Sequence, residues 1–199
     1  MKLNLPNKLT ILRILLIPVF MLIIILEIPN ESISRVIATA VFAITALTDM
    51  LDGMIARKYN LITDFGKFLD PLADKFMVFG AFLSILVSYS YDETFRKIFV
   101  VATGIVIFRE LAVTSIRLVT ANKEGIVIAA NMLGKIKTVS QIVFVITVLM
   151  ENVLFGEESM LFCTHNVLTY VTMAFMTVMT VWSGANYIKS YWKYIDPTK

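Results

Sequence analysis

Six long apolar runs separated by short polar turns constrain this chain more than anything else in it. A helix needs roughly 20 mostly apolar residues to cross a bilayer, where it must satisfy its backbone hydrogen bonds internally. The runs fall near residues 9–29, 34–57, 67–90, 96–119, 132–154 and 166–190. Turn formers and charges mark the breaks at Pro29-Asn30, Tyr59-Asn60, Tyr91-Asp92-Glu93 and Gly156-Glu157-Glu158. The expectation is an all-α, polytopic membrane protein, one domain over residues 1–199, folded as a six-helix bundle with a polar cavity facing the cytoplasm. With 58% hydrophobic and only 17% charged residues, the chain is unlike a soluble globular domain. The first run is long, continuous and without an A-x-A-like site, which disfavours a cleaved signal peptide.

The basic residues are asymmetric about these runs. Lys2, Lys8, Arg13, Arg57, Lys58, Lys67, Arg117, Lys123, Lys135, Lys137, Lys189, Lys193 and Lys199 fall on one side, whereas Arg35, Arg96 and Lys97 fall on the other. Lys and Arg near short loops stay cytoplasmic, so both termini are expected in the cytoplasm and the protein in the cell membrane. A net charge of +3 is explained by those borders and gives no reason to expect nucleic acid as a partner. One cysteine, Cys163, cannot form an internal disulfide, and with His165 it falls in an expected outer turn, too few ligands for a metal site.

Against the apolar background, residues 49–74 concentrate carboxylates where the second and third runs meet the cytoplasmic side. Asp49 and Asp52 are three apart and Asp70 and Asp74 four apart, so on helices each pair shares a face. A short turn makes the two helices antiparallel neighbours, which brings the pairs to one depth. Each Asp at a span centre costs about 2.5–3.5 kcal/mol, and like charges at about 4 Å repel by about 4 kcal/mol at an effective dielectric near 20. Hard divalent cations, Mg2+ or Mn2+ or Ca2+, relieve this with all-oxygen ligands and leave positions for phosphate oxygens. The competing reading is an ion-paired rim neutralised by Arg57, Lys58, Lys67 and Lys75, but four carboxylates in register go beyond a rim. Gly53, Ala56 and Gly66 leave room for a flat ligand or permit close helix packing. Asp64 is placed as a candidate N-cap of the third helix, and Pro71 either in its first turn or at a kink.

The segment reads D-x2-D-G-x2-A-R-x8-G-x3-D-x3-D from Asp49 to Asp74 and so resembles the CDP-alcohol phosphotransferase family at every motif position. Span number and chain length resemble that family too. The resemblance implies that an alcohol attacks the lipid phosphorus of a CDP-linked lipid and CMP leaves. It implies that Asp49, Asp52, Asp70 and Asp74 bind two Mg2+ or Mn2+ ions, with Asp74 also taking the acceptor proton. Gly53, Ala56, Arg57 and Gly66 would hold the cytidine and its phosphates together with Asp49, Asp52 and Asp70. A homodimer is implied as well.

A second group of cations bears on the acceptor. Arg109 is placed within the fourth run, where an unpaired guanidinium is expensive, and Arg117 lies two turns further toward the cytoplasm. Lys135 and Lys137 open the fifth run and approach the same region if the bundle closes around the carboxylates. Such a basic pocket suits a phosphate-bearing acceptor. The alternatives are that Arg109 pairs with Glu110 or another carboxylate, and that the lysines mark a cytoplasmic loop. Residues 4–10, 71–75, 108–110 and 134–138 resemble the branch of the family that joins CDP-diacylglycerol to glycerol 3-phosphate. Thr10 and Arg13 either touch the donor's diphosphate or anchor the first span. Rival acceptors are phosphatidylglycerol, inositol phosphate and serine, and a rival class is a cation transporter. Trp182, Tyr187, Tyr191 and Trp192 read as packing or interface aromatics.

Overall fold

A computed structural model of the chain describes residues 4–59, 61, 63–89, 93–121, 132–155 and 166–192. Asn60, Asp92, Gly156, Glu157, Glu158, Lys123, Cys163 and His165 lie outside the described residues, as do the side chains of Arg57 and Ala121. The described residues form six helices: α1 (Leu5–Leu26), α2 (Glu31–Lys58), α3 (Asp64–Ser88), α4 (Glu93–Ala121), α5 (Met132–Phe155) and α6 (Val167–Tyr191). Each is long and apolar enough to cross a membrane, so the protein is a multi-pass membrane protein.

Local chemistry sets the helix ends. Pro6 sits in the first turn of α1, where its missing N–H is not needed, and the Asn4 side chain accepts from the Asn7 N–H at 3.1 Å. Glu27 closes α1 in the left-handed conformation (φ 50°), and Asn30 caps α2 by accepting from Ile33 N–H at 2.9 Å. At α3 the cap is Thr63, whose hydroxyl accepts from Gly66 N–H at 3.0 Å. Asp64 is thus not the N-cap: the helix starts one residue after Thr63, and Asp64 lies in the first turn, favourably placed against the helix dipole. Pro71 lies inside α3, beyond its first turn.

α1 packs on α2 and α3, and α6 packs on α4 and α5; α2 against α5, with α3 touching α4 and α5, joins the two groups. Gly80 allows the close approach of α1 and α3, since a methyl there would stand 2.8 Å from Ile17 Cγ2. Phe82 of α3, Phe99 of α4 and Phe144 of α5 meet in the middle with ring centroids 5.1–5.7 Å apart. Large apolar side chains such as Leu15, Leu22, Val101, Val171 and Phe175 point outward, as a lipid-facing surface requires. Several hydroxyls inside the bundle are satisfied locally: Thr45, Ser84 and Thr180 each donate to the carbonyl four residues back.

Candidate active site

The N-terminal part of α1 brings Thr10 and Arg13 between the C-terminal part of α2 and the N-terminal part of α3, the stretches that carry the four aspartates. Arg13 is fully buried, 0% exposed, and its guanidinium pairs with Asp49 at 2.5 Å and with Asp52. The Thr10 hydroxyl donates to Asp70 Oδ1 at 2.8 Å and lies 3.5 Å from Asp52 Oδ2, so a single side chain links a carboxylate of α2 to one of α3. Thr10 and Arg13 therefore do more than anchor a span: both contact the carboxylates. Asp74 has no hydrogen bond or ion pair with a described residue, and its side chain lines a cavity together with Asp49.

Four ionised carboxylates against one guanidinium leave a surplus of negative charge in an apolar bundle. Among the described residues, no three carboxylates stand together as a ready-made metal site, and the Arg13 guanidinium contacts both Asp49 and Asp52. The donor set still fits a hard divalent cation: all ligand atoms are carboxylate oxygens, and the charge surplus is of the right sign. For Asp49 and Asp52 to serve as ligands, the guanidinium must share them or withdraw.

Two cavities flank the carboxylates. The smaller, of about 210 Å³, is lined by Gly53 and Ala56 of α2, Gly66, Lys67 and Asp70 of α3, and Asn7 of α1. Its size depends on missing side chains, for a methyl on Gly66 would stand 3.1 Å from Asn7 Oδ1 and 3.3 Å from Thr63 Oγ1. Thr63 also donates to Asn7 Oδ1 at 3.1 Å, and Asn4 donates to the Leu61 carbonyl at 2.8 Å, which ties the start of α1 to the α2–α3 turn. Arg57 belongs to the α2 helix beside this cavity.

The larger cavity, of about 980 Å³, has Asp49 and Asp74 on one wall and Arg109, Arg117, Lys135 and Lys137 on others. Between α2 and α5 its lining is apolar, with Ala46, Leu47, Met50, Ile142, Val143 and Ile146. Lys137 is 4% exposed and donates to Glu110 Oε1 at 2.6 Å; Arg109 donates to the same oxygen at 2.9 Å. The other arm of Arg109 donates to Ser183 Oγ of α6 at 2.6 Å. Gly184 beneath it has no room for a side chain, since a methyl would come within 2.9 Å of Arg109 Cγ. Arg117 donates through Nε to the Tyr187 hydroxyl at 3.1 Å, with its guanidinium 5.4 Å from the ring centre.

The four cations expected on α4 and α5 thus share one cavity with two of the four aspartates, and Arg109 pairs with Glu110 while facing it. Glu110 as a hub for two helices, Ser183 and Tyr187 as part of the wall, and Gly184 as the close approach beneath Arg109 are additions that the sequence did not disclose. Tyr187 read as a packing aromatic; it is buried, but its hydroxyl serves Arg117. A Ser-Gly pair in an apolar helix was the available signal, and it looks the same at any close helix crossing. Trp182 and Trp192, read as packing or interface aromatics, are exposed and do not pack inside the bundle.

Comparison with known proteins gives the same family as the motif. The sequence model described as CDP-alcohol phosphatidyltransferase matches residues 3–182. The chain is 44% identical over 199 residues to a CDP-diacylglycerol–glycerol-3-phosphate 3-phosphatidyltransferase of Bacillus subtilis (strain 168), covering 96% of each chain. It is 31% identical to the protein of the same name from Rickettsia felis, covering 96% of this chain and 97% of that one. A probable phosphatidylglycerophosphate synthase of Mycobacterium tuberculosis is 35% identical, with 93% of this chain and 80% of the relative covered. Motif, six spanning helices and similarity along nearly the whole length agree: the chain belongs to the CDP-alcohol phosphatidyltransferase family.

Proposed function

We propose that the protein transfers the phosphatidyl group of CDP-diacylglycerol to glycerol 3-phosphate, giving phosphatidylglycerophosphate and CMP. The observation that carries this is the larger cavity, where the unpaired Asp74 and four cations of α4 and α5 line a single space. An acceptor whose phosphate rests on Arg109, Arg117, Lys135 and Lys137 is held by charge at one end, leaving its hydroxyl free to face Asp74. Asp74 takes the hydroxyl proton as the oxygen attacks the lipid phosphorus; a new P–O bond forms, the bond to CMP breaks, and CMP leaves with the electron pair. The apolar lining between α2 and α5 suits the donor's acyl chains. The smaller cavity, with Gly53, Ala56 and Gly66, is of a size to hold the cytosine ring, and Arg57 supports the diphosphate.

Asp49, Asp52, Asp70 and Asp74 would hold Mg2+ or Mn2+, two ions on this reading, which neutralise the diphosphate and the departing oxygen when bound. The basic residues bordering the spans support a site and termini on the cytoplasmic side of the cell membrane. A homodimer completes the reading.

Incorporation of labelled glycerol 3-phosphate into lipid by the purified chain, with CDP-diacylglycerol and Mg2+ or Mn2+, tests it. Wild type is expected to form labelled lipid and release CMP in equal amounts, and Asp74→Asn to lose activity by about a hundred-fold or more, the scale of an acid–base residue. CMP release only with serine, inositol phosphate or phosphatidylglycerol would overturn the acceptor. Cation flux in liposomes without any CMP release would overturn the transferase.

A further inference from the structure

The larger cavity contains one carboxylate that the proposed reaction does not use. Glu110 is nine-tenths buried on α4, and a single oxygen of it, Oε1, accepts from Lys137 of α5 and from Arg109 of its own helix. α4 packs chiefly on α6, and α5 on α6 and α2. Phe99 of α4 meets Phe144 of α5 in the core, and the Glu110–Lys137 bond joins the same two helices at the cavity end.

Resting on the proposed acceptor, we infer that Glu110 is a positioning residue for acceptor recognition. Its carboxylate fixes Lys137 relative to Arg109, while Ser183 fixes Arg109 from the opposite side. Two cations on separate helices repel each other, and without a shared anion they splay apart. A splayed pair still attracts any phosphate by charge. A fixed pair also sets where the phosphate sits, and so how far the rest of the acceptor reaches toward Asp74. Glu110 itself repels phosphate, so its presence lowers the bare attraction while raising discrimination. Specificity of this kind is a difference of affinities and is distinct from affinity itself.

The experiment follows CMP release by the full chain in lipid–detergent micelles for wild type, Glu110→Gln and Glu110→Asp. KM is measured for glycerol 3-phosphate, and Ki for inorganic phosphate, which carries the charge without the glycerol body. Glu110→Gln is expected to lower the ratio of phosphate Ki to acceptor KM by about ten-fold, the scale of one charge-assisted hydrogen bond. KM for CDP-diacylglycerol stays unchanged, and Glu110→Asp, which keeps the charge, recovers part of the ratio. The inference is overturned if Ki and KM shift by one common factor, if kcat falls at constant ratio, or if Glu110→Asp behaves as Glu110→Gln. Should Glu110→Gln fail to fold, Glu110→Asp decides: a partial fall in the ratio supports the inference, and an unchanged ratio overturns it. If wild type uses another alcohol and not glycerol 3-phosphate, the acceptor reading and this inference fall together. If wild type uses glycerol 3-phosphate and the ratio is unmoved in the variants, only the inference falls.

Discussion

Arg13 is the residue on which the carboxylate cluster depends. Fully buried and facing Asp49 and Asp52, it offsets part of a charge that an apolar bundle tolerates poorly. Removing one partner of a buried pair leaves the other uncompensated, so Arg13→Gln is expected to destabilise the protein by about 3–5 kcal/mol. Thermal unfolding in detergent measures this, and Mg2+ or Mn2+ should restore part of the loss by supplying the missing positive charge. A melting temperature unchanged by the substitution would mean that the pair contributes nothing net. Two glycines test the two cavities separately. Gly66→Ala crowds Asn7 and Thr63 beside the smaller cavity, whereas Gly184→Ala crowds Arg109 beside the larger one. Overpacking of this kind costs about 1–3 kcal/mol, or about ten-fold in binding. The first substitution should raise KM for CDP-diacylglycerol and leave that for glycerol 3-phosphate, and the second should do the reverse. Both constants rising together in either variant would show that the cavities are not separate binding regions.

At the scale of the helix, buried ends are the weak points, because each start leaves N–H groups without partners in the helix. Asn4, Asn30 and Thr63 supply caps at α1, α2 and α3 from their own chain positions. α6 is capped differently: Asn166 makes no capping side-chain bond, and Glu151 of α5, only 2% exposed, accepts from Leu168 N–H at 2.9 Å and Thr169 N–H at 2.8 Å. A carboxylate from a neighbouring helix thus sets where α6 begins and locks it to α5. Glu151→Ala leaves both donors buried and unpaired, so a loss of about 1–3 kcal/mol in unfolding free energy is expected. Because this end is opposite to the cavities, both KM values should stay at wild type. Kinetic constants that shift with the melting temperature would place Glu151 in a coupled network and refute the simple cap. A cap donated by another helix leaves no local pattern, so nothing in the sequence around Glu151 marks it as one.

Across the whole molecule, charge divides by helix group: the four aspartates and Arg13 sit on α1–α3, and Arg109, Glu110, Arg117, Lys135 and Lys137 on α4 and α5, with the larger cavity between them. The spans were legible because apolar length is recorded residue by residue, and the Asp49–Asp74 segment because its spacing lies within two consecutive helices. Glu110 and Ser183 were not legible as cavity-lining residues, nor Gly184 as the support under Arg109, because these roles arise where separate helices meet, and neither periodicity nor spacing encodes that. The end of the bundle that carries both cavities is also the end with most of the basic residues, which makes its orientation testable. Glycerol 3-phosphate and CMP are charged and do not enter hydrocarbon readily, so on the proposed reaction this end is expected to face the compartment that holds them. Lys67 lies at the cavity end and Glu93 at the start of α4 at the other, and both are exposed. In a chain with Cys163→Ser, a membrane-impermeant maleimide added to intact cells is expected to label Glu93→Cys and to spare Lys67→Cys until the membrane is opened. Labelling of Lys67→Cys from outside would invert the topology, and the acceptor would then have to reach the site from the external face.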